Sequence, residues 1–447
     1  MAKDAQGLRV TASNESAAAL DRAISDYFGW KGDPVGRLQE AVDQDSDFGL
    51  GSSAIASLFL LGGFRGDHPR VVGALKAAES ASTGATSREI RHLAAASTLA
   101  AGRTANAIAL WESILLDHPT DALALRFAHD GYFCLGQSLS IRDSIARVLP
   151  HWDPQGENYG YVLGLYAFGL EEAGDLRRAE KVAHAAIARN EEDGWAIHAV
   201  AHVFETESRH SEGIAFLQAT HPAWRRAHAL AVHNGWHLAV YLIEEGRCDE
   251  VLADYDQHVA PKLADDFLLN LVDASSLLWR LELAGADVGE RWVPLAAQWL
   301  THVDDHALVF NDLHIALAVS RAGNRLGVER LRRSLDRYTR DGQGDNRSVT
   351  AEVGRRLIDG VLAFAAGEYD RAVEFLLPVR YSAIRIGGSH AQRDLIAQTL
   401  IAAAERAEQP GLTRALLAER VSARPTERTR QHYARVGGVG DFSFNAI

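Results

Sequence analysis

The sequence predicts an all-α protein, one continuous body of stacked helical hairpins. Three observations carry that reading. Apolar residues recur with a helical period along most of the chain, and no segment sustains the apolar–polar alternation of a strand. Ala, Leu, Arg and Glu dominate, and long stretches pass without proline, a composition that favours helix. From about Arg88 onward, a helix, a glycine turn and a second helix recur as a unit.

Ser13–Gly63 reads as two or three helices outside that repeat. Residues 1–87 are therefore expected to form an N-terminal helical cap, since the end unit of a stacked array must turn one face to water. Residues 88–447 are expected to hold the repeats and the C-terminal capping helices. The clearest unit is REIRHLAAASTLAAGRTANAIALWESILLDHP, with a turn at Gly102, Ala107 and Trp111 four apart on the second helix, and Pro119 closing it. Small-then-aromatic at that spacing is how the second helix of a tetratricopeptide unit packs on the first, so the expected fold is a TPR-like α-α superhelix. Later units turn at Gly174, near Ser208, and at Gly246, Gly323 and Gly367. Ser208 lies 34 residues after Gly174 and Gly246 lies 38 after Ser208, while the last interval stretches to 44, so the array is irregular. Between the units, Asp265–Ala284 reads as one long helix, and Asp341–Ser348 as the best candidate for a flexible segment.

Composition narrows the function classes. The chain of 447 residues is 47% apolar and 23% charged, which suits a folded protein. Its net charge is −13, with Arg spread along helices and offset by acids. That excludes the basic face a nucleic-acid binder needs. Cys134 and Cys248 are too few and too far apart for a disulfide framework or a cysteine-based zinc site. The N-terminus has no apolar leader, and the run Ala54–Gly63 is far short of the roughly 20 residues that span a bilayer. The expected setting is cytoplasmic, without membrane contact, and a homo-oligomer stays open. No phosphate-binding loop, dinucleotide fingerprint, G-x-S-x-G elbow or Cys/His nucleophile pair is present.

Chemistry concentrates in histidines. His198, His202 and Glu205 stand at i, i+4, i+7, on one stripe of a helix and off its packing positions Ile197, Val200, Ala201 and Phe204. One unit later His233 and His237 repeat the i, i+4 spacing, flanked by Asn234 and Trp236, with Glu244 on the same stripe. Asn311, Asp312 and His314 follow on a later first helix, and Asp273 and Ser276 lie on the helix between. In this register all face one inner surface. Paired imidazoles at i, i+4 can chelate a divalent metal, so His198, His202, His233 and His237 are the candidate ligands. Neither pair fits H-E-x-x-H, which removes the zinc-protease motif. Without metal, the same groups form a general acid–base set: His198, His202, Glu205, His233, His237, Asp312 and His314. A polar-lined solenoid would also hold histidines that merely satisfy their neighbours.

Around them, Trp236, Asn234, Phe310, Asn311, Asp273, His390 and Arg393 are the candidate ligand-binding residues. Trp195, Phe204 and Tyr241 interleave with the set, Phe204 as packing. Arg393 either clamps an anion or bridges helices. His210, His221, His228 and His306 sit in loops or at helix starts and stand apart from the pattern. The run ERLRRSLDRYTRD reads as a solvated helix face.

In the same order, TASNESAAALDRAISDYFGW, GWAIHAVAHVFE, HNGWHLAVYLIEEG, VFNDLHIALA and IGGSHAQRDLIAQTLI resemble segments of the tetratricopeptide repeat protein 38 family. The resemblance runs from about Thr11 to Arg428 and implies a closed-up, irregular TPR solenoid; it implies no activity. The expected function is thus a His/Glu/Asp-lined interior site that binds or transforms a small molecule, by metal-assisted or His/carboxylate acid–base chemistry of a hydrolase, lyase or isomerase type. The alternative is a non-catalytic scaffold that takes a peptide or partner protein in its concave groove.

Overall fold

The computed structural model describes residues 1–437. It is all-helical apart from one short hairpin, and residues 438–447 of the expected C-terminal cap lie outside the described residues. The expectation of no sheet needs one correction. Ala2–Lys3 pairs antiparallel with Arg9–Val10, because Asp4 and Gly7 close a tight turn between them: Gly7 N donates to Asp4 O at 2.8 Å.

The repeats fold as helical hairpins for a local reason. At each turn one residue adopts the left-handed conformation that lets the chain reverse: Gly174 has φ 83° and Gly246 has φ 77°. Gly174 N then returns to Glu171 O at 2.8 Å and Asp175 N to Leu170 O at 2.9 Å, satisfying carbonyls that the helix end leaves open. Ser208 takes the same role without glycine's freedom, at φ 59°, with Arg209 N on Phe204 O at 2.8 Å. Ala107 and Trp111 are both fully buried between their helices, as the small-then-aromatic spacing expects.

The expected opening helices are Asn14–Phe28, Pro34–Gln44 and Gly49–Leu61. The first packs on Ala122–Cys134, where the Tyr27 hydroxyl donates to Asp130. One apolar core runs from Val10 to Leu417.

Turns from the two halves of the chain meet. A Cβ on Gly136 would sit 1.9 Å from Ile384 O, and one on Gly344 would sit 2.3 Å from Gly102 O, so backbone approaches backbone where no side chain fits. This revises the expected flexible segment. Asp345 N donates to Gly102 O at 2.9 Å, and Asp345 Oδ2 accepts from Ala105 N at 2.8 Å. The segment is pinned, and helix resumes at Asp345–Val349. The long helix expected from Asp265 begins later, at Leu268, since Asp266 breaks the chain direction at φ 53°.

The helix His390–Arg406 packs against helices from both halves of the chain, Gly194–Thr206 among them. Ser389 and Gln392 cap it reciprocally. It packs on the helix Leu268–Leu283, where Trp279 Nε1 donates to Thr399 Oγ1 at 2.8 Å and Arg280 Nη2 to Ala391 O at 2.8 Å. Both cysteines are free, and among the described residues no helix is long and apolar enough to cross a membrane.

Candidate metal centre

Two adjacent helices supply the centre. Gly194–Thr206 starts at Asp193, whose Oδ1 accepts from Trp195 N and Ala196 N at 3.0 Å each. His228–Glu244 lies beside it. The i, i+4 pairs on the two helices therefore face each other. Ring centroids of His198, His202, His233 and His237 lie 4.4 to 5.1 Å apart for the five pairs in ring contact. One nitrogen from each lies within 4.8 Å of the other three, and all four side chains are buried.

The outer nitrogens meet carboxylates. His233 Nδ1 lies 3.0 Å from both oxygens of Asp273, and His237 Nδ1 lies 3.1 Å from Glu205 Oε2. His202 Nδ1 is 3.2 Å from Glu171 Oε2, close enough for the charge though off hydrogen-bond direction. A carboxylate on Nδ1 fixes the tautomer with Nδ1 protonated, so Nε2 carries a lone pair. Two such lone pairs, on His233 and His237, are turned inward, and Glu171 beside His202 Nδ1 favours the same tautomer there. Nε2 of His202 and of His237 has no partner, and His233 Nε2 meets only His198 Nε2, at 3.1 Å.

The electrostatics agree with neutral rings. Burial pushes His237 down to about 3, against the hydrogen bond to Glu205 and helped by His202 and His233. Burial and the three neighbouring rings hold His198 well below its ordinary range. Burial would raise Glu205, but the hydrogen bond from His237 and the charge of Arg424 outweigh it and keep it ionised. Apart from the single N–H that His198 can give to His233, the inward nitrogens of this set are buried acceptors without a donor, unfavourable alone and favourable around a cation. Tetrahedral ligands at 2.0–2.1 Å from a metal would be roughly 3.4 Å apart. The 3.1 Å contact and the 4.8 Å limit bracket that spacing.

A second ligand-rich set, Glu171, Glu172, His202 and His390, shares His202 with the first. It is already filled by protein. Arg424 Nη2 donates to His390 Nδ1 at 2.6 Å and Arg424 Nη1 to Glu205 Oε1 at 2.7 Å. His390 Nε2 and Thr206 Oγ1 both reach Glu171 Oε1, at 2.6 and 3.0 Å. Because Glu171 is already engaged by His390 and Thr206, and His390 by Arg424, this set serves as the support of the four-histidine set.

Several expected site residues lie elsewhere. Glu205 and Asp273 hold histidines from behind. His314 is apart from the cluster, its Nδ1 on Phe310 O at 2.7 Å, because its position on Val309–Arg321 turns it back along its own helix. Asp312 faces the other way, onto His306 Nδ1 at 3.0 Å. Asn234 is structural: Nδ2 donates to Gly194 O at 3.1 Å and ties the two site helices together. Trp236 is not in the lining of the cavity that reaches His198 and His233; it stacks on His233 at 5.4 Å, and Arg280 covers it. Arg393 donates to the carbonyls of Gly387 and Gly388, just before its own helix, and its Nη2 lies 3.9 Å from Glu172 Oε2. Phe310 and Asn311 do line a cavity.

That cavity, about 390 Å³, reaches His198 and His233. Phe168, Trp195, Phe310 and Val272 make its walls largely apolar. Phe168 and Trp195 pack on His198, with centroids 5.5 and 4.7 Å away. Two larger depressions of about 560 Å³ each touch none of the four histidines.

Glu171 and Arg424 are site residues that sequence reasoning missed. A sign of Glu171 was present: it stands three before the Gly174 turn, as Glu205 stands three before Ser208. Arg424 reaches Glu205 across 219 residues and no local pattern marks it. No family model matches the chain.

Proposed function

We propose that this chain is a TPR-like solenoid of the tetratricopeptide repeat protein 38 type, closed around a divalent metal centre that acts on a small molecule. One observation carries the reading: His202 and His237 aim unpartnered nitrogens at one buried point, and the inward nitrogen of His233 meets there only another imidazole, His198. His202, His233 and His237 are the ligands, and Asp273, Glu205 and Glu171 hold them. Three histidines leave a coordination position open, the arrangement of catalytic rather than structural sites. His198 stands where that position meets the cavity. It serves as a fourth ligand or as the group that moves a proton to and from substrate.

Neutral imidazoles suit Zn, Fe, Ni or Cu, and such an ion would polarise a substrate oxygen or activate water. Hydrolysis or proton transfer on a small molecule in the 390 Å³ cavity is the reaction class this favours. The scaffold alternative is less favoured because the four histidines are buried between helices rather than laid open along a groove.

The test is elemental analysis of the purified chain, before and after dialysis against chelator and metal reloading. The reading expects close to one transition-metal ion per chain, lost in His202→Ala and in His237→Ala. A folded wild-type chain that takes up no Zn, Fe, Ni, Cu, Mn or Co overturns it.

A further inference from the structure

The far wall of the same cavity is built differently from the metal end. Arg126 lines it and is 1% exposed. Its Nε is engaged, 3.1 and 2.9 Å from the two oxygens of Asp130, while Nη1 is buried without a partner. Three aromatic rings surround the guanidinium: Tyr27, Trp30 and Trp195, at 4.7, 5.3 and 5.4 Å. Rings satisfy the faces of a guanidinium; its N–H groups lie in its plane and still need acceptors.

The neighbours add unpartnered donors, and Asp26, which also lines the cavity, is engaged by Arg37. His129 lines the cavity with both ring nitrogens unpartnered, and burial pushes it down to about 3, so it is neutral with one N–H to give. The indole nitrogens of Trp30 and Trp195 are also buried without partners. The nearest carboxylate, Asp130, is taken by Arg126 and by the Tyr27 hydroxyl. Asp193 Oδ2 is unpartnered too, but it faces Gly164, outside the cavity lining. A buried wall so rich in donors lacks an anion.

From this we infer that the cavity takes a monocarboxylic acid with a compact apolar body, its carboxylate seated on Arg126 and His129. Resting on the proposed reading, this names the substrate class of the metal site: the carboxylate anchors one end, and the body carries the reacting group toward His198 and His233. Charge decides between anions. The cations at this wall, Arg126 and Lys31, are matched by Asp130 and Asp26, so no positive charge is left over for the second charge of a dianionic phosphate, and a monoanion costs least. Apolar walls and a volume near the lower end of ligand pockets set the body's size.

The experiment is calorimetric titration of the full chain with phenylbutyrate and octanoate, each beside its alcohol, phenylbutanol or octanol. It is run on metal-loaded and on chelated protein, with metal content measured on every sample. The acids should bind roughly tenfold or more tighter than the alcohols, the scale of a hydrogen bond to a charged group. The preference should survive chelation, which separates this wall from a carboxylate simply ligating metal. Arg126→Met combined with Asp130→Asn removes both charges together and should abolish the preference while leaving alcohol binding and metal content in place. Should that pair fail to fold, His129→Phe, a milder change, should cut acid binding severalfold. Equal affinity for acid and alcohol in wild type, no binding of either acid, or a preference intact in the folded variants overturns the inference. Acid binding by a chain that takes no metal contradicts the metal proposal alone.

Discussion

Two buried histidine–carboxylate arrangements in this molecule look alike in composition and differ in what their nitrogens meet. At His306, Nδ1 is on Asp312 at 3.0 Å and Nε2 on Ser334 Oγ at 2.8 Å, so the ring is fully used by the protein. At His237, Nδ1 is on Glu205 at 3.1 Å and Nε2 faces three other imidazoles without a partner. The first ring welds two helices. The second is held in place by its carboxylate and left free at its working end. Burial and a carboxylate neighbour therefore do not mark function; an orphaned nitrogen aimed at other orphans does.

The comparison breaks most visibly under metal. With free ion a thousandfold above its dissociation constant, mass action should stabilise wild type by about 4 kcal/mol. His202→Ala and His237→Ala should lose nearly all of that gain, while His306→Ala should keep it. Thermal melts with and without Zn or Ni read the difference, and an equal shift in all variants would erase the distinction.

Next in size is the cost of the structural ring. His306→Ala leaves Asp312 and Ser334 without their buried partner and should cost about 3 kcal/mol, since breaking a buried pair strands the remaining group. Denaturant unfolding measures it. In chelator, His202→Ala or His237→Ala should cost no more than about 1 kcal/mol: each removes an unsatisfied nitrogen along with one contact, and Glu205 keeps Arg424. Losses of several kcal/mol in both would make these packing residues.

A gradual, pH-dependent effect sharpens the comparison at His314, a ring with one nitrogen satisfied and one buried without a partner. Burial lowers it to about 4. Between that value and the unfolded value near 6.5, the unfolded chain binds a proton that the folded chain refuses, so stability falls as pH falls through that window. His314→Phe should flatten the decline by up to about 1.4 kcal/mol per pH unit. Chelated wild type and variant with parallel pH profiles would assign the proton uptake to other groups.

Much of this was legible in the residues. Glycine turns with a small-then-aromatic pair mark helical hairpins locally, and two i, i+4 histidine pairs one unit apart marked the cluster. Legibility ended where contacts became long-range. Helical spacing places His314 and the histidine pairs in equivalent registers, but the path of the intervening chain sets which helices stand face to face. His314 therefore drops out, and His306, at φ 47° in a connection, enters the core. Arg424 and the wall around Arg126 depend on closure between distant segments, which no periodicity encodes. A Ser in the left-handed turn at position 208 was visible only through the repeat interval.

The most direct test of the central claim is an anomalous difference map from crystals of the metal-loaded chain, collected at the absorption edge of the bound ion. The account predicts one peak about 2.0–2.1 Å from Nε2 of His202, His233 and His237, on the side of His198 and the cavity. A peak between Glu171 and His390, or no peak with the histidine nitrogens bonded to one another or to water, would contradict it.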